Sequence, residues 1–359
     1  MSTEESNNGV IFVKVPEDLP VINEHFKFIE RKINISSTVL EKGEILIKNV
    51  YLSLDPYMRG RMRVSEKNEK NYINAFSVGK VMEAGGVGVV IASNNDQWKK
   101  GDLFSGYIGW EEYTKVSPAA AKNALLYKQA LKDALDNDIS LSYFLGLLGM
   151  PGMTAYVGLF MIGKPKQGET IFISTAAGAV GQVVGQIAKI KGLKVVGSTG
   201  DDSKVDYILN ELKFDHAFNY KKVDIDQTLK ETCPEGIDIY FDNFGGETLD
   251  IVLTHLNINA RVIACGMISQ YNNAKSTSYG IKNLGLIIPR RIIVHGFIVF
   301  DHYKEYYESF QKDMVQWLKE GKLKYKEYVV NGIENAPQAF LDMFNGKNFG
   351  KLIIKISDL

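Results

Sequence analysis

Cysteine is almost missing from this chain: Cys233 and Cys265 are the only two among 359 residues. Two thiols cannot build a disulfide framework, and they fit a reducing compartment. Histidine is also scarce, and His25, His216, His255, His295 and His302 never pair at ligand spacing. A zinc centre needs a cluster of Cys, His and carboxylate ligands, so no metal is expected. Net charge is lacking as well, because 42 Lys plus Arg balance 42 Asp plus Glu. A nucleic-acid binder shows a basic excess or stripe, so no nucleic-acid partner is expected. Met1 to Val10 is polar and acidic, without the apolar core of a signal peptide or the Arg-rich face of a transit peptide. A cytoplasmic location is the expectation. One uncharged run, Leu141 to Gly163, is long enough to cross a bilayer. Gly146, Gly149, Pro151, Gly152 and Gly158 interrupt it, so it reads as two buried elements joined at a turn, and no membrane partner is expected. No Gly-x-Ser-x-Gly nucleophile elbow occurs.

What is present is ordinary globular material, 45% apolar and 23% charged, enough to bury a large core. At roughly 150 residues per domain, the length suggests about two domains. To about Ser140 the chain reads as short strands and irregular connections. A strand is expected at Gly43 to Leu52, a glycine-rich bent sheet at Val78 to Ala92, and a helix at Ala119 to Asp136. From about Glu169 strands alternate with helices. The strands are Thr170 to Ser174, Lys194 to Gly197, Ala217 to Asn219, Ile237 to Phe241 and Arg261 to Cys265. The helices are Val180 to Lys191, Ser203 to Leu212, Asp226 to Glu231 and Leu249 to Leu256. Such alternation implies an α/β fold with a parallel, doubly wound sheet. After Leu318, strand-like pieces at Tyr325 to Val330 and Lys351 to Ile356 flank a helix at Ala336 to Phe344. These strands are expected to complete the first domain. The domains are then 1–146 with 318–359, discontinuous, and 147–317, inserted.

After the first strand of the alternating region comes Thr175-Ala176-Ala177-Gly178-Ala179-Val180-Gly181. This is the dinucleotide fingerprint with Ala176 in place of the first glycine. Gly178 lets the backbone approach a pyrophosphate, and Gly181 lets the helix pack closely on the sheet. The helix N-terminus offers its N–H groups to phosphate, so Gly178, Ala179, Val180 and Gly181 are candidate contacts. The second strand ends Val195-Val196-Gly197-Ser198-Thr199-Gly200. An NAD enzyme carries an acid there for the ribose 2′-hydroxyl. None is present, and small residues with Lys204 on the next helix leave room for a 2′-phosphate. Asp201 and Asp202 read as helix caps.

Without a metal or an acid–base histidine, hydride chemistry leaves tyrosine as the proton-handling group, and there are 18 of them. Seven runs now carry a resemblance. They are YLSLDPYMR at Tyr51 to Arg59, LLGMPGMTAY at Leu147 to Tyr156, Ala176 to Lys189, and FNYK at Phe218 to Lys221. GIDIYFDNFGG at Gly236 to Gly246, CGMISQYN at Cys265 to Asn272 and GKNFGK at Gly346 to Lys351 complete them. The chain resembles zinc-independent medium-chain dehydrogenase/reductases. Within them it resembles the branch of plant NADPH-dependent 2-alkenal (double-bond) reductases and animal prostaglandin/leukotriene reductases, the plant enzymes more closely.

The resemblance implies a GroES-like β-rich catalytic domain beside a Rossmann domain, usually in a homodimer. It implies NADPH-dependent reduction of the carbon–carbon double bond of α,β-unsaturated aldehydes and ketones. By the same resemblance Lys204 and Tyr220 contact the 2′-phosphate, with Gly200 in the adjoining turn. Asn243, Cys265, Phe297, Ile298, Val299 and Asn348 match cofactor positions nearer the nicotinamide. Tyr57 and Tyr271 match the tyrosines lining the substrate site. The chain departs from the pattern at the acidic pair Asp201–Asp202, at Phe244 in place of a valine, and over Asn272 to Asn283. A conjugated carbonyl has an electrophilic β-carbon, and hydride added there leaves enolate charge on oxygen that a donor must stabilise. A tyrosine is a neutral donor at pH 7, so Tyr271 is the expected main donor and Tyr57 is expected to orient substrate. An NADPH quinone reductase and a non-catalytic NADPH-binding protein stay open as alternatives.

Overall fold

The computed structural model describes residues 4–36, 39–64, 70–273 and 277–359. The chain divides into two compact units. One comprises Met1–Leu145, Glu327–Asn348 and Leu352–Leu359, the other Gly146–Lys326 and Phe349–Lys351.

Four short strands open the first unit, β1 (Glu4–Ser6), β2 (Gly9–Phe12), β3 (Phe26–Ile29) and β4 (Lys32–Asn34), forming the antiparallel ladders β1–β4 and β2–β3. The main strand β5 (Ile45–Ser53) leads to the single-turn helix α1 (Met58–Arg61). Then come β6 (Glu83–Ser93), β7 (Leu103–Gly109), β8 (Tyr113–Val116) and the long helix α2 (Pro118–Asp136). Ser117 caps α2 by accepting from the Ala120 N–H, and Pro118 occupies the first turn, where no N–H is needed. The glycines of β6 bend it between its neighbours. A Cβ at Gly88 would lie 2.4 Å from the Lys48 carbonyl oxygen, and the β5–β6 register shifts twice along its length. Phe26, Trp110 and Phe340 meet in the core of this unit.

The second unit holds α3 (Met150–Val157), β9 (Thr170–Ile173), α4 (Gly181–Ile190), β10 (Lys194–Thr199) and α5 (Asp202–Asn210). It continues through β11 (His216–Asn219), α6 (Ile225–Thr232), β12 (Ile237–Asp242), α7 (Gly246–Leu253) and β13 (Leu256–Ala264). It closes with α8 (Ile287–Arg290), β14 (Ile293–Gly296) and α9 (Tyr303–Lys319). All six strands run parallel in the order β11-β10-β9-β12-β13-β14. β9 is buried along its whole length, as a strand covered on both faces must be. The strand order reverses between β9 and β12, and doubly wound sheets bind ligands at the carboxyl ends beside such a switch.

The chain then returns through β15 (Glu327–Asn331), α10 (Ala336–Phe344) and β16 (Lys351–Lys355). These strands extend the other sheet to β15-β16-β5-β6-β7, with β8 paired to β5. The fold is the expected one, a Rossmann sheet with a separate β-rich domain.

Several boundaries differ from the sequence pattern, each for a local reason. α7 starts at Gly246, because Gly245 and Gly246 at φ 69° and 59° turn the chain directly into it. It stops at Leu253, where the Arg290 guanidinium takes the carbonyls of Leu253, Thr254 and Leu256. β15 begins at Glu327 rather than Tyr325, since the preceding backbone is bonded to α4. The 17-residue α9 has no counterpart among the expected elements, although Phe310, Met314 and Trp317 carry its buried face at helical spacing. The uncharged run from Leu141 breaks into a 3-10 turn at Leu141–Leu145, α3, and a π turn at Gly158–Gly163. Among the described residues no helix is long and apolar enough to cross a membrane.

Candidate active site

The dinucleotide turn lies at the carboxyl end of β9. Thr175 sits at φ 54°, a left-handed conformation that is costly for a β-branched residue and recurs at functional turns. The Ala176 N–H donates to the Ser198 carbonyl at 2.9 Å, tying the turn to β10. The missing first glycine is accommodated by another, since a Cβ at Gly197 would stand 2.7 Å from the Ala176 methyl. A Cβ at Gly181 would lie 2.5 Å from the Thr175 carbonyl oxygen, so α4 can start this close to the strand only with glycine. The start of α4 directs the partial positive charge of its dipole toward the switch point.

At the end of β10, Gly200 faces a small polar cradle. A Cβ there would lie 3.0 Å from the Tyr220 hydroxyl and 3.3 Å from Lys221 Nζ. Lys204 belongs to the same cluster. Burial holds its ammonium below the usual lysine value, Asp201 opposes that, and the neighbouring Lys221 charge adds to it. The two aspartates do not face this cradle as free charges. Asp201 is the N-cap of α5 and accepts from the Ser203 N–H at 2.9 Å and the Ser203 hydroxyl at 2.6 Å. Asp202 accepts from Asn219 Nδ2 at 2.7 Å and pairs with Lys222. Phe244 packs on the Tyr220 ring, with centroids 4.9 Å apart.

The ends of β12 and β13 form the third part. Asp242 is 1% exposed, and its Oδ1 accepts from the Tyr240 hydroxyl and from the N–H groups of Phe244 and Gly245. Burial raises its carboxyl above the usual range against those bonds. Asn243 donates its side-chain amide to the Ser174 carbonyl at 2.9 Å, locking β12 to β9. Burial, with the Asp242 charge, pushes the Cys265 thiol up to about 12. The Tyr271 hydroxyl accepts from the Met267 N–H at 3.1 Å, and a Cβ at Gly266 would lie 3.1 Å from its oxygen. Burial first, then Cys265 and Asp242, raise the Tyr271 phenol above its ordinary value, while the Met267 bond lowers it. Asn243, Cys265 and Tyr271 therefore meet at one edge of the sheet.

The remaining candidates lie elsewhere. Phe297 and Ile298 follow β14 and are half-buried, and Phe297 packs over Gly158; Val299 is buried. Tyr57 and Asn348 belong to the first unit. Tyr57 precedes α1 and interacts with Tyr107 on β7. Burial, then Tyr107 and Asp55, raise the Tyr57 phenol well above its ordinary value.

Residues 9–124 match the family described as N-terminal domain of oxidoreductase, and residues 179–320 match the one described as zinc-binding dehydrogenase. The NADP(+)-dependent 2-alkenal reductase of Nicotiana tabacum is 42% identical, over 99% of this chain and 99% of its own. The (+)-pulegone reductase of Mentha piperita is 43% identical over 88% of each chain. The crystal structure of CurA from Vibrio vulnificus in complex with NADPH superposes with a TM-score of 0.84 at 37% identity, covering 98% of this chain and 100% of that one. The chain belongs to the medium-chain dehydrogenase/reductase family.

Despite the second family's name, no group of three or more His, Cys, Asp or Glu among the described residues could hold a metal ion. The nicotinamide dinucleotide phosphate that this family implies meets a fitting site. The Thr175 hydroxyl is buried in the turn with no partner among the described residues. The cradle at Gly200 is one that a Cβ would fill, bordered by the Tyr220 phenol and the Lys221 ammonium, with Lys204 near enough to feel the Lys221 charge. A medium-chain reductase read from sequence alone misses Lys221, although it stands in the FNYK run beside Tyr220. It also misses Gly197, Asp242 and Tyr107, whose roles rest on contacts between separate elements.

Proposed function

We propose that this chain uses NADPH to reduce the carbon–carbon double bond of α,β-unsaturated aldehydes and ketones. NADPH, when bound, supplies a hydride for the β-carbon. The pyrophosphate is assigned to the Gly178–Gly181 turn, and the 2′-phosphate to Gly200, Lys204 and Tyr220. Asn243, Cys265, Phe297, Ile298, Val299 and Asn348 are assigned to the nicotinamide half. The observation that carries the reading is the Tyr271 hydroxyl, fixed beside Gly266 and Asn243 at the edge of the sheet. Its oxygen accepts from a backbone N–H, and among the described residues no acceptor takes its proton. It donates to the substrate oxygen as enolate charge develops there, and a donor held in place before the reaction is worth more than one that must reorient. Tyr57 orients the substrate. Water supplies the α-carbon proton. The activities in the names of the tobacco and mint relatives support this reading.

The test is to mix protein, NADPH and an enone and follow the loss of cofactor absorbance, with a quinone assayed in parallel. Deuteride from labelled NADPH should appear on the β-carbon of the saturated product. Turnover of quinones without turnover of enones assigns a quinone reductase instead.

The working form is proposed to be a homodimer in the cytoplasm. β14 ends the parallel sheet, all four of its residues are exposed, and Ile293 and Val294 are 54% and 46% exposed. An exposed aliphatic edge strand favours pairing with another copy. Light scattering should give twice the 40.1 kDa chain mass, and Val294→Lys should halve it.

A further inference from the structure

The chain leaves the second unit's long run at Lys326. The backbone of this exit segment is bonded to side chains. Gln182 and Gln186 lie one turn apart on α4 and are 0% and 4% exposed. Gln186 accepts from the Lys324 N–H at 2.8 Å and donates to the Lys324 carbonyl at 2.8 Å. Gln182 accepts from the Lys326 N–H at 2.9 Å and donates to the Lys326 carbonyl at 3.2 Å. Four helical residues rise about 6 Å and two strand residues about 6.6 Å. The two amides thus imitate successive pairing positions of a neighbouring strand.

Between them stands Tyr325. Its hydroxyl donates to the Ala179 carbonyl at 3.3 Å, inside the dinucleotide turn. Its ring fills the space over Gly146, where a Cβ would lie 2.4 Å from Cε1. Gly146 is the first residue of this unit, so Tyr325 touches the segment where the chain enters, adjoins the one where it leaves, and bonds the turn.

We propose that Tyr325 and the Gln182–Gln186 clasp form a positioning device that ties occupancy of the dinucleotide turn to the order of both chain crossovers. The Ala179 carbonyl and the Val180 N–H belong to one peptide group. A phosphate accepting from that N–H polarises the peptide and strengthens the bond its carbonyl receives from Tyr325. Gln182 is in the first turn of the same helix, so fixing the turn fixes the start of the clasp. The coupling is reciprocal. The factor by which nucleotide orders the crossover is the factor by which an ordered crossover tightens nucleotide. The inference rests on the assignment of the pyrophosphate to this turn.

Amide hydrogen exchange of the full chain, with and without saturating NADPH, tests it. NADPH should slow exchange in the Gly178–Gly181 turn and also at the Lys324 and Lys326 amides. Tyr325→Phe keeps the ring over Gly146 and removes only the hydroxyl. It should retain protection of the turn and lose most of the response at Lys324 and Lys326. It should weaken NADPH and NADH by the same factor, roughly 2- to 10-fold for one net hydrogen bond, because both carry the pyrophosphate. Gln186→Met should abolish the response at Lys324 and keep that at Lys326. A turn protected by NADPH while Lys324 and Lys326 exchange unchanged overturns the proposal, as does a Tyr325→Phe variant that responds like the parent. NADPH that protects neither region overturns the pyrophosphate assignment, and the proposal with it.

Discussion

The backbone N–H of Met267 donates to the hydroxyl of Tyr271 at 3.1 Å, closing the loop after β13 onto its own tyrosine. The bond fixes the phenol oxygen and occupies it as an acceptor. What Tyr271 retains is a proton to give.

Loss of that proton should therefore appear in the chemical step. Oxyanion donors in other enzymes are worth about 2.7–4 kcal/mol. A ribose hydroxyl of the bound cofactor would offset part of the loss, so Tyr271→Phe should slow single-turnover hydride transfer roughly 10- to 100-fold, with NADPH affinity little changed. Tyr57→Phe should mostly raise KM. Hydride transfer at the parent rate in Tyr271→Phe would make Tyr271 a pocket wall.

The pH profile follows from the same residue. Tyr271 donates only while protonated, and its phenol is raised above the ordinary value of 10.0 by burial, Cys265 and Asp242. The donating form therefore persists through neutral pH and is lost only as pH rises past that value. Single-turnover rates should be flat from about pH 6 to pH 9. An alkaline limb near pH 8 that disappears in Tyr271→Phe would contradict this.

Cofactor choice is proposed to rest on Lys204, Tyr220 and Gly200. A hydrogen bond to a charged group contributes about 1.5–3 kcal/mol. Lys204→Ala should weaken NADPH roughly 10- to 100-fold and leave NADH nearly untouched. Lys204 can hold a phosphate only while it is protonated, and burial lowers its pKa from 10.5. The preference for NADPH over NADH should accordingly decline as pH rises, earlier than an ordinary lysine would allow. Fluorescence titration of both cofactors at two pH values measures both effects, and equal losses for the two cofactors refute the assignment.

No cluster of metal ligands exists among the described residues. Prolonged chelation should leave enone reduction unchanged, and elemental analysis should find no stoichiometric zinc. Activity lost to a chelator and restored by zinc sinks this prediction.

Much of the fold was legible because its signals are local. The compact strand Thr170–Ile173, the small-residue turn and the helix from Gly181 are consecutive in the chain, so periodicity and turn chemistry reveal them together. The capping role of Asp201 was also readable, since an N-cap acts on residues two or three ahead. The end of α7 was not, because it is set by Arg290, far along the chain. Nor was α9, whose apolar stripe is diluted by charge on the exposed face.

The sequence by itself determined the class of molecule, a doubly wound dinucleotide fold with a β-rich companion, because spacing along the chain dictates which elements form. Tertiary structure alone decided how charges and hydroxyls are spent. Asp202 is hydrogen-bonded by Asn219 and paired with Lys222 because β10 and β11 pair in a register that sets Thr199 beside Asn219. Ala176 can replace a glycine because Gly197 on the adjacent strand leaves space for its methyl. Gln182 and Gln186 look like ordinary helix residues until a distant backbone segment comes to lie against them. A hydrogen bond acts over about 3 Å, and which groups come within that distance is set by the packing of strands and helices rather than by their order in the chain.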